Sequence, residues 1–285
     1  MQLQAFAKIN LDLRILGRRD DGYHEVRTVL QTIDWADEIR IDSADHLQFV
    51  ERGILAGEDN LVMKAVRAFE GLTGQPVAAR IELIKNVPAG AGLGGGSADA
   101  AVTFRGLQKF YGREIPEPSI LKALSAIGSD VPFFLYGGRA LGTGRGSDIA
   151  PMEDDAGYGL VVVVPPVPIA TREAYSWLTV SDKSNNISRF CAQPASHSEA
   201  EPGNDFESVV FERHPLLSDI KQDILRAGAL RAALSGTGSA LFGIFGSTKE
   251  AEAALTRLSS WGVAKAARPL PRPEYLRRIW GVAKW

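Results

Sequence analysis

Five glycines crowd positions 90 to 96, within the run Pro88-Ala89-Gly90-Ala91-Gly92-Leu93-Gly94-Gly95-Gly96-Ser97-Ala98. Glycine tolerates positive φ and admits a ligand close to the main chain, so successive N–H groups of such a run can turn toward one point. A strand pattern, Ala78 to Ile84, precedes the run, and a helical apolar pattern opens at Ser97. The order strand, glycine loop, helix N-terminus suits a phosphate, because the first amides of a helix are unpaired and carry partial positive charge. No Gly-Lys pair occurs in the chain, which excludes a Walker A loop. Gly90, Gly92 and Gly95 satisfy G-x-G-x-x-G, yet Pro116, Pro118 and another helical pattern follow where a dinucleotide fold needs a second strand ending in an acid. A nucleoside triphosphate loop of another kind is favoured.

Other residues can supply chemistry beside such a loop. Lys8 and Asn10, two apart in an extended apolar segment, fall on one side of a strand; alone, Lys8 reads as a solvated edge charge. Asp130 sits between a glycine-ended helical pattern and the aromatic run Phe133-Phe134; alone it reads as a helix N-cap. Together, a carboxylate that accepts a hydroxyl proton and a cation that stabilises developing charge are what phosphoryl transfer to an alcohol requires. Tyr23 and His24 follow the turn Arg18 to Gly22 and are either turn-flanking residues or a pair that reads a planar base. Ser235, Gly236 and Thr237 open a second small-residue turn between apolar strands, a hairpin or an anion contact. The four histidines show no metal-binding spacing, so a zinc enzyme is not expected.

The elements that must position these residues form an α+β pattern. The first fifty residues read as sheet, with strands Gln2–Ala7, Leu11–Leu16, Glu25–Ile33, Glu38–Ile41 and Leu47–Val50. Asn60 caps a helix, and further helices lie over Ile120–Ile127 and Pro132–Tyr136. Gly137 to Pro151 is the expected place for a change of domain, giving units 1–150 and 151–285. A strand Leu160–Val164, a helical segment Arg172–Leu178, a polar excursion Ser181–Gly203 and an α+β tail follow. The 285 residues carry 45% apolar side chains and a formal charge of −2, so no global field draws the chain to nucleic acid or an anionic membrane. The single cysteine, Cys191, and a start without a signal-peptide pattern are read as a cytoplasmic chain. Nothing in the sequence speaks to oligomeric state.

The segments Ala7 to Leu11, Pro88 to Ala98 and Leu234 to Phe242 resemble, in order and spacing, the three motifs of the GHMP kinases. Gly17 to Glu25, Gly92 to Ser97 and Asp130 to Phe133 resemble the branch that phosphorylates the 2-hydroxyl of a diphosphocytidyl methylerythritol. The resemblance implies a two-domain α+β kinase with ATP and substrate in the cleft between domains. It implies Lys8 and Asp130 as the catalytic pair, Pro88 to Ala98 around the ATP phosphates, and Asn60 and Lys85 beside adenine. It also implies Asn10 at the acceptor hydroxyl, Tyr23 and His24 on cytosine, and a second aromatic, for which Tyr175 is the candidate. Ser235, Gly236 and Thr237 join the substrate contacts. Mg2+ is expected with ATP, its protein ligands unassigned; Ala98 stands where members of the family have a second serine, so the role of that hydroxyl is either absent or filled by Asp99. A GHMP kinase for homoserine or mevalonate would share the loop but need neither Tyr23 nor His24, and a non-catalytic nucleotide-binding module would give no reason for Lys8 and Asp130.

Overall fold

A computed structural model describes residues 1–53, 60–178 and 203–280; most of the Ser181–Gly203 excursion, including Cys191, lies outside them. The first sheet is built on two long strands, β1 (Gln2–Arg18) and β2 (His24–Ser43), paired antiparallel. Each is one continuous strand where the apolar runs suggest two, because the register slips between the Phe6 and Lys8 pairs and again between Asn10 and Asp12 without ending the ladder. Strands β3 (Gln48–Gly53) and β4 (Ala79–Lys85) join one end of β2, and β5 (Arg139–Thr143) and β6 (Asp148–Pro151) join the other. Gly137 to Pro151 is therefore a hairpin of the first sheet, and the chain crosses to the second sheet only after Pro151. The second sheet is antiparallel, in the order β10 (Val263–Ala267), β7 (Gly159–Val164), β9 (Leu241–Phe245), β8 (Arg231–Leu234).

Side-chain alternation stacks these sheets between helices. On β7, Leu160, Val162 and Val164 meet Ala7, Ile9, Leu11 and Trp35 of the first sheet, whereas Val161 and Val163 meet the helices of the second half. Those helices are α6 (Phe206–Arg213), α7 (Pro215–Arg226) and α8 (Thr248–Leu258), with the short α5 (Thr171–Ser176) beside them. The outer face of the first sheet is covered by α1 (Leu61–Thr73), α2 (Gly95–Phe110), α3 (Glu117–Ile127) and α4 (Phe133–Tyr136). Four layers result, helix, sheet, sheet, helix, with the glycine run emerging between the sheets.

The last described helix, α9 (Arg272–Trp280), returns to the first core, where Tyr275, Leu276, Ile279 and Trp280 are buried. The unit expected over 151–285 thus gives its final helix to the other half, because the apolar face of α9 finds its partners against β1 and α4 and not against the second sheet. Tyr275 is wholly buried and its hydroxyl donates to the Phe134 carbonyl at 2.6 Å. Tyr275→Phe leaves that carbonyl without its donor, and we expect a loss of about 1–3 kcal/mol in unfolding free energy, read by urea denaturation.

Candidate active site

The register slip in β1 decides which side chains reach the cleft. Leu3, Ala5 and Phe6 face the helical layer, whereas Ala7, Ile9 and Leu11, beyond the slip, face the second sheet. Lys8 and Asn10 therefore take the opposite side, toward the glycine run. The Lys8 ammonium donates to Asn10 Oδ1 at 2.6 Å and to the Gly92 carbonyl at 2.9 Å, and lies 3.3 Å from Asp130 Oδ2. Its side chain is 3% exposed and that of Asp130 is 35% exposed. An ammonium so enclosed needs these partners, since burying an unpaired charge is very costly. Asn10 is fixed in turn, donating from Nδ2 to Thr28 Oγ1 at 2.8 Å. Asp130 does not cap the next helix: Pro132 holds that position without a side-chain bond, which leaves the carboxylate to the cleft.

The glycine run threads between the two sheets. The Gly92 carbonyl accepts from both Lys8 Nζ and Ser235 Oγ, each at 2.9 Å. Leu93 O accepts from the Lys8 amide at 2.9 Å, and Ala91 O from the Ala240 amide at 3.0 Å. Gly92 has φ +81°, and a Cβ there would stand 2.1 Å from the Ser235 carbonyl oxygen; at Gly94, φ +67°, it would press on the Lys8 side chain at 2.9 Å. Helix α2 starts at Gly95 with Gly94 as a cap that offers no side chain, so its first amides are left for an incoming acceptor. Gly95 differs: a Cβ there would point at the buried Lys85 and Val87. That glycine serves the packing beneath the loop. Pro88, Ala89, Gly90, Ala91, Leu93, Gly96 and Ala98 complete the run, with Ala91, Leu93 and Ala98 buried and Ser97 on the cleft. Ser235 is buried in its bond to the loop, whereas Gly236 and Thr237 line the cleft.

Lys85 corrects an expectation. Its side chain is 1% exposed, held between Asp37 and Asp99, whose Oδ2 is 2.7 Å away. Asp37 also accepts from the Asn86 and Val87 amides, at 2.5 and 2.8 Å. Both carboxylates engage the ammonium, which ties the end of β4, the middle of β2 and the first turns of α2 together beneath the loop and does not line the cleft. Burial drives the Asp99 carboxyl well above the usual carboxylate range, with Lys85 opposing and Asp37 adding to the shift. Asp99 is buried against Lys85 and is not among the residues that line the cleft. Asn60 caps α1, accepting from the Val62 amide at 2.9 Å, and donates to Glu51 at 3.0 Å.

A cleft of about 1620 Å³ runs from Lys8, Asn10, Gly92, Ser97 and Asp130 to Tyr23, His24 and Tyr175. Tyr23, on the turn between β1 and β2, is 51% exposed. His24 and Tyr175, the latter from α5, bring their rings to 4.9 Å with an interplanar angle of 33°. Burial pushes the Tyr175 phenol up to about 12, with the Asp130 charge adding. Burial also lowers the His24 imidazole, helped by the Arg18 charge, which favours the neutral ring. Thr28, Ser129, Arg145, Thr171 and Arg172 line the same cleft and were not singled out from sequence. Each is a common residue type on a turn, a strand or the first turn of α5, and only the fold gathers them. Among the described residues, no group of three or more His, Cys, Asp or Glu could hold a metal ion.

The buried triad makes a testable demand. Lys85→Met leaves two buried carboxylates facing each other without their cation, and the expected cost is about 3–5 kcal/mol of stability, measured by chemical denaturation. A loss in ATP affinity with unchanged stability would instead return Lys85 to the nucleotide.

Two family models match the chain, GHMP kinases N terminal domain over residues 60–138 and GHMP kinases C terminal over residues 191–264. It is 44% identical over 256 residues to a 4-diphosphocytidyl-2-C-methyl-D-erythritol kinase of Solibacter usitatus, covering 85% of this chain and 80% of that protein. It is 36% identical over 272 residues to the protein of that name from Geobacter metallireducens, covering 92% and 96%. A solved 4-(cytidine 5'-diphospho)-2C-methyl-D-erythritol kinase superposes with a TM-score of 0.80 at 31% identity, over 94% of this chain and 99% of that one. A homoserine kinase from Cytophaga hutchinsonii, at TM-score 0.69 and 18% identity, shares the fold, over 95% of each chain. With its two GHMP halves, its cleft and relatives matched over most of their length, the chain belongs to the GHMP kinases, in the branch of the 4-diphosphocytidyl-2-C-methyl-D-erythritol kinases.

Proposed function

We propose that this chain transfers a phosphoryl group from ATP to the 2-hydroxyl of 4-diphosphocytidyl-2-C-methyl-D-erythritol. The observation that carries the reading is the single cleft joining a Lys8–Asp130 pair at a glycine loop to an aromatic and imidazole cluster. ATP supplies the transferred group, and the glycine run and the first turn of α2 suit its phosphates. Asn60 is proposed to lie near the adenine by its backbone and neighbours, since its side-chain amide is committed to Glu51 and the helix cap. Mg2+ would come in with the triphosphate, and Ser97 is the loop hydroxyl on the cleft. That fits a cation that keeps most of its ligands as water and phosphate and asks little of the protein. A cytoplasmic location is part of the same proposal; no described helix is long and apolar enough to cross a membrane.

Asp130 is proposed to accept the proton of the acceptor hydroxyl as its oxygen bonds to phosphorus. Lys8 stabilises the charge that grows on the oxygens during transfer, and Asn10 holds both the ammonium and the acceptor in register. Tyr23 stacks on the cytosine, with Tyr175 closing the pocket behind His24, which as a neutral ring both donates and accepts along the base edge. Gly236 and Thr237 border the acceptor end.

Asp130→Asn should lower kcat by about 100-fold or more with little change in ATP affinity, as read by coupled ADP release. Lys8→Met should remove most activity while the protein stays folded; unchanged kcat/KM would make Lys8 a structural residue. The KM for the cytidine substrate should stay flat from alkaline pH to below 6.5, the ordinary histidine value, and rise only where His24 gains its proton. Methylerythritol phosphate lacking the cytidine should be used very poorly, and equal use of both alcohols would remove the base pocket from the reading.

A further inference from the structure

Tyr23 stands half exposed, yet one face of its ring is covered. The Arg145 guanidinium carbon lies 3.9 Å from the ring centroid. Arg145 forms no salt bridge among the described residues, and its Nε is buried without an acceptor among them. The guanidinium therefore has the tyrosine face as its principal partner, an attraction between a cation and the negative face of the ring.

The backbone fixes this contact from a distance in sequence. Arg145 is at the tip of the β5–β6 hairpin, between Gly144 at φ +67° and Gly146 at φ +92°. The Gly146 amide donates to Thr143 O at 2.9 Å, and the Val26 amide donates to Gly144 O at 2.8 Å. The tip is thus stapled to β2 two residues beyond His24. A Cβ at Gly144 would meet the Asp148 carboxylate at 2.5 Å, so the tip is built for this close turn. Asp21 carries a carboxyl lowered mainly by its bond from the Tyr23 amide, with Arg145 a small contributor, so the Tyr23 backbone is held as well.

We propose that Arg145 is a positioning residue for base recognition: its guanidinium holds one face of the Tyr23 ring so that the opposite face receives the cytosine. The inference rests on the cytidine reading of this cleft. An exposed tyrosine samples several rotamers, and fixing it before the base arrives removes that entropic cost from binding. The hairpin that looks like a linker in sequence becomes the back wall of the base site.

The test is calorimetric titration of the full chain with cytidine and with cytidine diphosphate, using Arg145→Gln, Arg145→Lys, Tyr23→Leu and the double variant Tyr23→Leu/Arg145→Gln. Arg145→Gln should weaken both ligands by the same factor, about two- to ten-fold. The KM for the diphosphocytidyl substrate should rise while that for ATP holds, and Arg145→Lys should recover part of the loss. On the Tyr23→Leu background, Arg145→Gln should add nothing. Equal or tighter binding by Arg145→Gln would mean that the guanidinium sits where the base belongs, and overturns the proposal. A loss larger for cytidine diphosphate than for cytidine, or one that persists without Tyr23, assigns Arg145 to the phosphates and overturns it too. A wild-type chain that ignores both ligands while phosphorylating another alcohol fails the cytidine reading itself, a result distinct from an indifferent Arg145 variant.

Discussion

One carbonyl oxygen joins the two halves of this molecule beside the cleft. Gly92 O accepts from Lys8 on the first strand and from Ser235 on the turn between two strands of the second sheet. The bond from Lys8 satisfies an ammonium that is almost wholly removed from water, and the bond from Ser235 fixes the loop against the other half. Both depend on the absence of a side chain at Gly92, whose Cβ would fill the gap. Positioning the cation, shaping the loop and holding the sheets in register are thus one requirement met at one atom.

The two ends of the cleft are built differently. At the glycine-loop end, Lys8 and Asn10 on β1 and Gly92 on the loop are locked in buried bonds, and Asp130 is the more exposed member. At the other end, Tyr23 projects from a turn closed by Arg19 N donating to Tyr23 O at 2.8 Å, with Gly22 at φ +83°. On the proposed reading, a rigid reacting pair with a more accessible base site suits an enzyme in which binding energy far from the chemistry orients the acceptor.

Much of the site is legible in sequence because it uses rare arrangements of residue types. Five glycines in seven positions, a lysine and asparagine inside an apolar strand, and a Tyr-His pair after a turn stand out from a strand's or helix's ordinary content. Tyr175 was reachable only through the family pattern, and it lies against His24. The rest depends on long-range pairing. Lys85 ends an alternating strand and looks like any solvated edge charge; its partners Asp37 and Asp99 are 48 and 14 residues away, and only the fold encloses it. The register slip beside Lys8 has no residue signature, since it reflects two strands accommodating each other. Gly137 to Pro151 reads as a linker from its glycines and is a hairpin, because the same residue permits a tight turn within a sheet. Helix α6 fell beside the polar excursion and lacked a clear apolar period.

The return of α9 has a consequence for synthesis. Residues 1–151 contain every strand of the first sheet, yet its core lacks Tyr275, Leu276, Ile279 and Trp280 until the chain has passed through the whole second sheet. A ribosome-bound half would show the apolar surface that these residues cover, for as long as the roughly 120 residues between Pro151 and Tyr275 take to emerge. At about 5–20 residues per second, that is several seconds or more of exposure. The first core therefore closes only after the second sheet has been made, and a nascent chain interrupted in its second half is left with an open hydrophobic face for chaperones to shield.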